Sequence, residues 1–118
     1  MLRRYAVMTA ACLEIAAGAA LLTAPGIACW LLFATKTESV EITLARFAGV
    51  GLIALGLACL PSKDTGSRRN ASLALLVFNL GVAILFACVD VFTPLHGVLL
   101  WPAVVLHAII AAALMLSF

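Results

Sequence analysis

The chain has 118 residues, of which 66% are hydrophobic and 10% charged, with a formal net charge of +2 and a mean hydropathy of +1.26. Soluble domains carry about a quarter charged residues, so a water-soluble globular fold is excluded. The small positive charge is accounted for by membrane orientation and argues against nucleic-acid binding.

A membrane span needs roughly 20 apolar residues to cross about 30 Å of hydrocarbon. The apolar runs here are long, continuous and rich in Ala, Leu and Gly, without the alternation of a barrel strand, so they predict helices. Four spans can be cut with short connections, at about 4–24, 42–60, 70–89 and 97–117. Almost no chain is left for a soluble domain.

The first span follows Arg3 and Arg4. A cleaved signal peptide is the alternative reading, but Glu14 inside the apolar core argues against it and for an uncleaved helix. The span is expected to end within "TAPGIACWLLF", because Pro25 and Gly26 disfavour uninterrupted helix. Residues 27–33 then form a short interfacial segment, with Trp30 at the wet edge. Span two, "ITLARFAGVGLIALGLACL", stops at Pro61 and leads into the polar loop "SKDTGSRRN". Its small residues Ala45, Gly49, Gly51 and Gly56 are the candidate helix-packing contact, either within the chain or with a second copy or another membrane protein. Span three carries Asn79. Span four holds "LLWPAVVLHA", where Pro102 is either a helix start or a kink and His107 follows one to two turns later.

Lys and Arg counted by loop set the orientation. Arg3, Arg4, Lys63, Arg68 and Arg69 fall on one side and Lys36 alone on the other, a bias of five to one. Both termini are therefore expected in the cytoplasm, with loops near 34–41 and 90–96 outside, in the inner membrane. The cysteines at 12, 29, 59 and 88 lack metal-type spacing. Only Cys29 and Cys88 fall toward the outer side, where a disulfide is conceivable.

Helical rise of about 1.5 Å per residue places Glu14, Asn79 and His107 near one depth, about 15 Å from the cytoplasmic edge, with Arg46 about 6 Å nearer the outside. An ionisable group at a span's centre costs at least about 2.5–3.5 kcal/mol, so these residues should face one another. The expected arrangement is an all-α integral membrane four-helix bundle with Glu14, Arg46, Asn79 and His107 pointing inward, one from each span. Glu14 then pairs with Arg46 or His107.

Three uses of that cluster follow. It fixes helix register; or Glu14 and His107 form a proton-exchanging transport or ligand site; or His107 or His96 serves a haem or quinone. No Ser or Cys has a base at a matched position, so no catalytic residue is assigned, and neither a cofactor nor a metal.

The stretch "CLEIAAGAALL", with a lone glutamate in the first of four short spans, resembles the small multidrug resistance exporters. That resemblance implies that Glu14 is a coupling residue in a proton-exchanging homodimer, although Arg46 facing the same interior would oppose a cationic substrate. More broadly, "EIAAGAALLTAP", "LARFAGVGLIALGLAC" and "LLWPAVVLHA" resemble small four-span bacterial inner-membrane proteins of the DoxX-like kind, which implies topology only. The resulting expectation is a single-domain, non-enzymatic accessory or assembly subunit. Its partners are membrane lipid and either another membrane protein or a second copy. A proton-coupled transporter using Glu14 and His107 is the competing class.

Overall fold

The computed structural model describes residues 2–60 and 64–118; Pro61 and Lys63 of the expected span boundary and loop charge lie outside the described residues. Every regular element among them is helical: α1 (Leu2–Thr23), α2 (Pro25–Phe33), α3 (Ser39–Ala58), α4 (Thr65–Phe92) and α5 (Leu100–Leu116). Helices α1, α3 and α4 are long and apolar enough to cross a membrane, whereas α5 has 17 residues, about 25 Å of helix.

Local chemistry explains where the elements begin and end. Pro25 opens α2, where its missing N–H is no loss, after Ala24 has left helical geometry. The segment expected as a polar loop after span two is helical from Thr65, because the Asp64 carboxylate caps α4 by accepting from the Ser67 N–H at 2.6 Å. Residues 97–99, expected within span four, form a turn instead, and Pro102 falls in the first turn of α5, where it starts the helix without kinking it.

Helix α2 ends on Ala34, whose φ of 53° and ψ of 29° are left-handed. A side chain in that conformation costs about 1–2 kcal/mol. Ala34→Gly should therefore raise stability by about 0.5–1 kcal/mol after the added freedom of the unfolded chain is offset. Thermal unfolding of the two proteins side by side checks this, and a lower midpoint for the glycine variant would contradict it.

The helices do not close into a symmetric bundle. The Cα envelope measures 43 × 27 × 16 Å, a slab. It is built from two close pairs, α1 with α3 and α4 with α5, and α1 lies between α3 and the second pair. Glycine makes the first pair possible. A Cβ on Gly18 would come within 2.6 Å of the Gly49 carbonyl, one on Gly49 within 2.7 Å of the Gly18 carbonyl, and one on Gly56 within 2.6 Å of the Ala11 carbonyl. The two backbones run antiparallel at van der Waals distance, with Gly18 opposite Gly49 and Ala11 opposite Gly56. Gly51 is exposed with nothing within 4 Å of a would-be Cβ, so the four small residues of span two do not form one contact face.

An apolar core gathers at the end that carries the termini, around Val7, Ala10 and Ala11 of α1, Cys59 after α3, Ala71 and Leu75 of α4, and Ile110 and Leu114 of α5. At the opposite end the α4–α5 loop caps α2. Gly97 N–H donates to the Leu32 carbonyl at 2.9 Å and Leu99 N–H to the Leu31 carbonyl at 2.8 Å, satisfying two acceptors at the end of α2. The approach is so close that a Cβ on Gly97 would overlap the Leu31 carbonyl. All four cysteines are free, Cys29 and Cys88 included.

Candidate functional site

One turn above the apolar core, three polar side chains meet between α1, α4 and α5. Glu14 is 2% exposed and Asn79 fully buried; His107 is half-buried. Each follows from its helix. Glu14 lies one turn beyond Ala10 and Ala11, Asn79 one turn beyond Leu75, and His107 one turn before Ile110 and Ala111, so the faces that build the core also aim these residues inward. On the other side, Gly18, Ala83 and Val104 are buried. The polar groups are thus enclosed between two apolar layers.

Asn79 is the hub. Its Nδ2 donates to Glu14 Oε1 at 3.1 Å and to the Leu75 carbonyl at 2.9 Å, while its Oδ1 lies 2.7 Å from His107 Nδ1. The bonding partners determine the amide's orientation. A backbone carbonyl can only accept, so the NH2 end must face Leu75 and Glu14, and the oxygen faces the imidazole. Asn79 Oδ1 then needs a donor, and His107 Nδ1 carries the hydrogen. Two phenyl rings of α4 bracket the imidazole: Phe78 and Phe86 each stand with ring centroids 6.3 Å from it, edge to face. Phe86 also meets Phe33 of α2 at 5.6 Å. Neither phenylalanine stands out in an apolar run, and only the position of Phe78 beside Asn79 could have drawn attention to it.

Arg46 is not part of this cluster, which corrects the expectation of one inward polar residue from each span. The α1–α3 register places Ile53 opposite Glu14 and puts Arg46 two turns further toward the loop end, about 10 Å away along the axis. Arg46 is exposed there. Because α3 buries little beyond its α1-facing stripe, most of its remaining surface faces outward. Arg46→Leu should accordingly change unfolding free energy by less than about 0.5 kcal/mol. A loss comparable to that of an Asn79 substitution would show that the register is wrong.

Of the two alternatives for the glycine contact, within the chain or with a partner, Gly49 and Gly56 make a contact within the chain. Gly49 and Gly56 are buried against α1, Ala45 is half-buried, and Gly51 faces away. His96 does not approach His107. It is exposed in the α4–α5 loop, 3.8 Å from Asp90 Oδ1, while Asp90 Oδ2 accepts from Trp101 Nε1 at 3.1 Å. This latch across the loop was not foreseen, since nothing in the spacing of Asp90 and Trp101 marks them as partners.

At the end carrying the termini, Arg3 Nε donates to Ser72 Oγ at 3.2 Å, and its guanidinium lies 5.1 Å from the centre of the Phe118 ring. The first and last helices are thereby tied to the start of α4. Among the described residues, no group of three or more His, Cys, Asp or Glu is placed to hold a metal ion. No family model matches the chain, and neither the curated proteins nor the solved structures provide a match.

Proposed function

We propose that the chain is a multi-pass protein of the inner membrane, with α1, α3, α4 and the shorter α5 as its four crossings and both termini in the cytoplasm. In that setting it acts as a non-enzymatic accessory or assembly subunit. The observation that carries this reading is the use made of the polar interior: Glu14 and Asn79 are sealed, and their hydrogen bonds join α1, α4 and α5 to one another. Hydrogen bonds between spans set helix register at modest gain. A partner would be met on the outward side of α3, where Phe47 is 77% exposed and Val50 55%. Arg46 lies one turn from Val50 on that side and would seek an acceptor on the partner helix.

Photo-crosslinking from position 47 or 50 in living cells tests this. A discrete adduct with another membrane protein is expected, lost on Arg46→Glu. Adducts with lipid alone would overturn the reading.

One observation favours a second reading. Glu14 has an amide as its hydrogen-bond partner and no ion pair among the described residues. A carboxylate without a counter-charge is suited to binding and releasing a proton, as a proton-coupled transporter requires. Proteoliposomes separate the two readings: proton-coupled solute uptake abolished by Glu14→Gln in a folded protein would establish transport, and its absence would leave the accessory role.

A further inference from the structure

Arg46 is a cation inside an apolar span. It stands about 10 Å along α3 from Ser39, exposed, with no hydrogen bond or ion pair among the described residues. A guanidinium carries five N–H donors and no acceptor, and hydrocarbon supplies nothing to receive them. The helix that bears it is also the least packed of the three long spans. Of the apolar stretch of α3, 11% is buried, against 28% for α1 and 22% for α4.

The residues beside Arg46 form an ordered pattern. Thr43, Phe47, Val50, Ala54 and Leu57 are all exposed and are spaced by alternating steps of four and three, the repeat of a coiled-coil seam. Spans in membranes pack mostly with that same geometry. The seam runs for about 21 Å, on the side of α3 turned away from Gly49 and Gly56, which meet α1. Arg46 immediately precedes Phe47 and so lies at a flank of the seam, the position from which charged side chains reach across to a neighbouring helix.

A second copy offers no acceptor there. The chain has five acidic residues. Glu14 is 2% exposed and bonded to Asn79. Glu38 and Glu41 cap the start of α3, at least about 7 Å from Arg46 along the axis. Asp64 caps the start of α4, and Asp90, near its end, accepts from Trp101. In a parallel pair of α3 helices, the flank that faces Arg46 is at Gly51, which has no side-chain acceptor.

We infer that the partner of α3 is a transmembrane helix of a different protein, seated along the Phe47–Val50–Ala54 seam and carrying an aspartate or glutamate at the depth of Arg46. The guanidinium donates to that carboxylate, and each charge removes the other's cost in hydrocarbon. The inference rests on the reading of the outward side of α3 as a partner contact and adds the chemistry of the partner.

Energy transfer in liposomes tests it, with the full chain labelled at its N-terminus and titrated with labelled Leu/Ala transmembrane peptides. The peptides are identical except for one Glu, Gln or Lys about 10 Å from one end of the helix. The Glu peptide should bind about 5–30-fold more tightly than the Gln peptide, the range of a polar contact between model transmembrane helices. Arg46→Leu should remove that preference, and Arg46→Glu should transfer it to the Lys peptide. Ala54→Trp, which fills the seam at an exposed position, should weaken Glu-peptide binding severalfold. Equal binding of the Glu and Gln peptides, as a lipid phosphate satisfying Arg46 would produce, overturns the inference. So does energy transfer between two copies of the chain that is lost on Arg46→Leu. An adduct from position 47 or 50 in cells, combined with equal binding of the peptides, would strike this inference alone and leave the accessory reading standing.

Discussion

Asn79→Leu should destabilise the folded protein by about 2–3 kcal/mol, the largest loss expected from any single side-chain truncation in the polar layer. The substitution keeps the branching and the number of heavy atoms of the side chain and removes the hub. It leaves Glu14 Oε1 and His107 Nδ1–H facing an apolar side chain in a sealed layer. Each buried polar group stripped of its partner costs about 1–3 kcal/mol, reduced because helices separated within a bilayer find other partners. Two further variants sharpen the result. Glu14→Leu combined with Asn79→Leu should recover part of the loss, since replacing both members of a buried polar pair by apolar groups approaches neutrality. Glu14→Gln, which keeps an acceptor for the Asn79 amide, should cost less than Asn79→Leu alone. Unfolding by denaturing detergent, followed by circular dichroism in mixed micelles, measures all three. If Asn79→Leu were as stable as the parent, the polar chain would not join these helices.

A glycine series should produce effects of both signs. Gly49→Ala and Gly56→Ala each add a methyl group where the nearest atom is a backbone carbonyl of α1, at 2.7 Å and 2.6 Å. Backbone cannot rotate aside as a flexible side chain can, so α1 and α3 must move apart, at about 1–3 kcal/mol for each substitution. Gly51→Ala and Gly81→Ala meet nothing within 4 Å. There the only change is helix propensity, which favours alanine by roughly 0.5–1 kcal/mol. The ranking, with Gly49 and Gly56 below the parent and Gly51 and Gly81 at or above it, is what four thermal melts would test. Uniform destabilisation would mean that the outward face of α3 is packed against another chain.

Depth was the part of the site legible in the sequence. Counting residues from the end that carries the termini puts Glu14, Asn79 and His107 at one level, and in the structure they form one hydrogen-bonded chain through Asn79. Depth counting works because each of these helices starts or ends near a recognisable polar boundary, and rise per residue varies little. Rotation about the helix axis was not legible. Whether Arg46 points inward depends on which stripe of α3 meets α1, and Ala45, Gly49, Gly51 and Gly56 offer small residues on more than one face. Gly49 and Gly56 were selected through their reciprocal fit with Gly18 and Ala11, a relation between two segments that neither displays alone. The start of α4 was misread for a simpler reason. Gly66, Ser67 and two arginines look like loop, but Asp64 caps the helix beneath them.

The junction at the far end bears on how the chain is made. The last turn of α2 leaves two carbonyls to be matched by Gly97 and Leu99, residues synthesised only after α3 and α4 are complete. While the ribosome is still adding α4, the α1–α3 pair can already form through its glycines, yet the two carbonyls at the end of α2 must be met by water. Closing this end is therefore a late step of biogenesis. A nascent chain halted before residue 97 would hold a protease-accessible α2 beside an already paired α1 and α3.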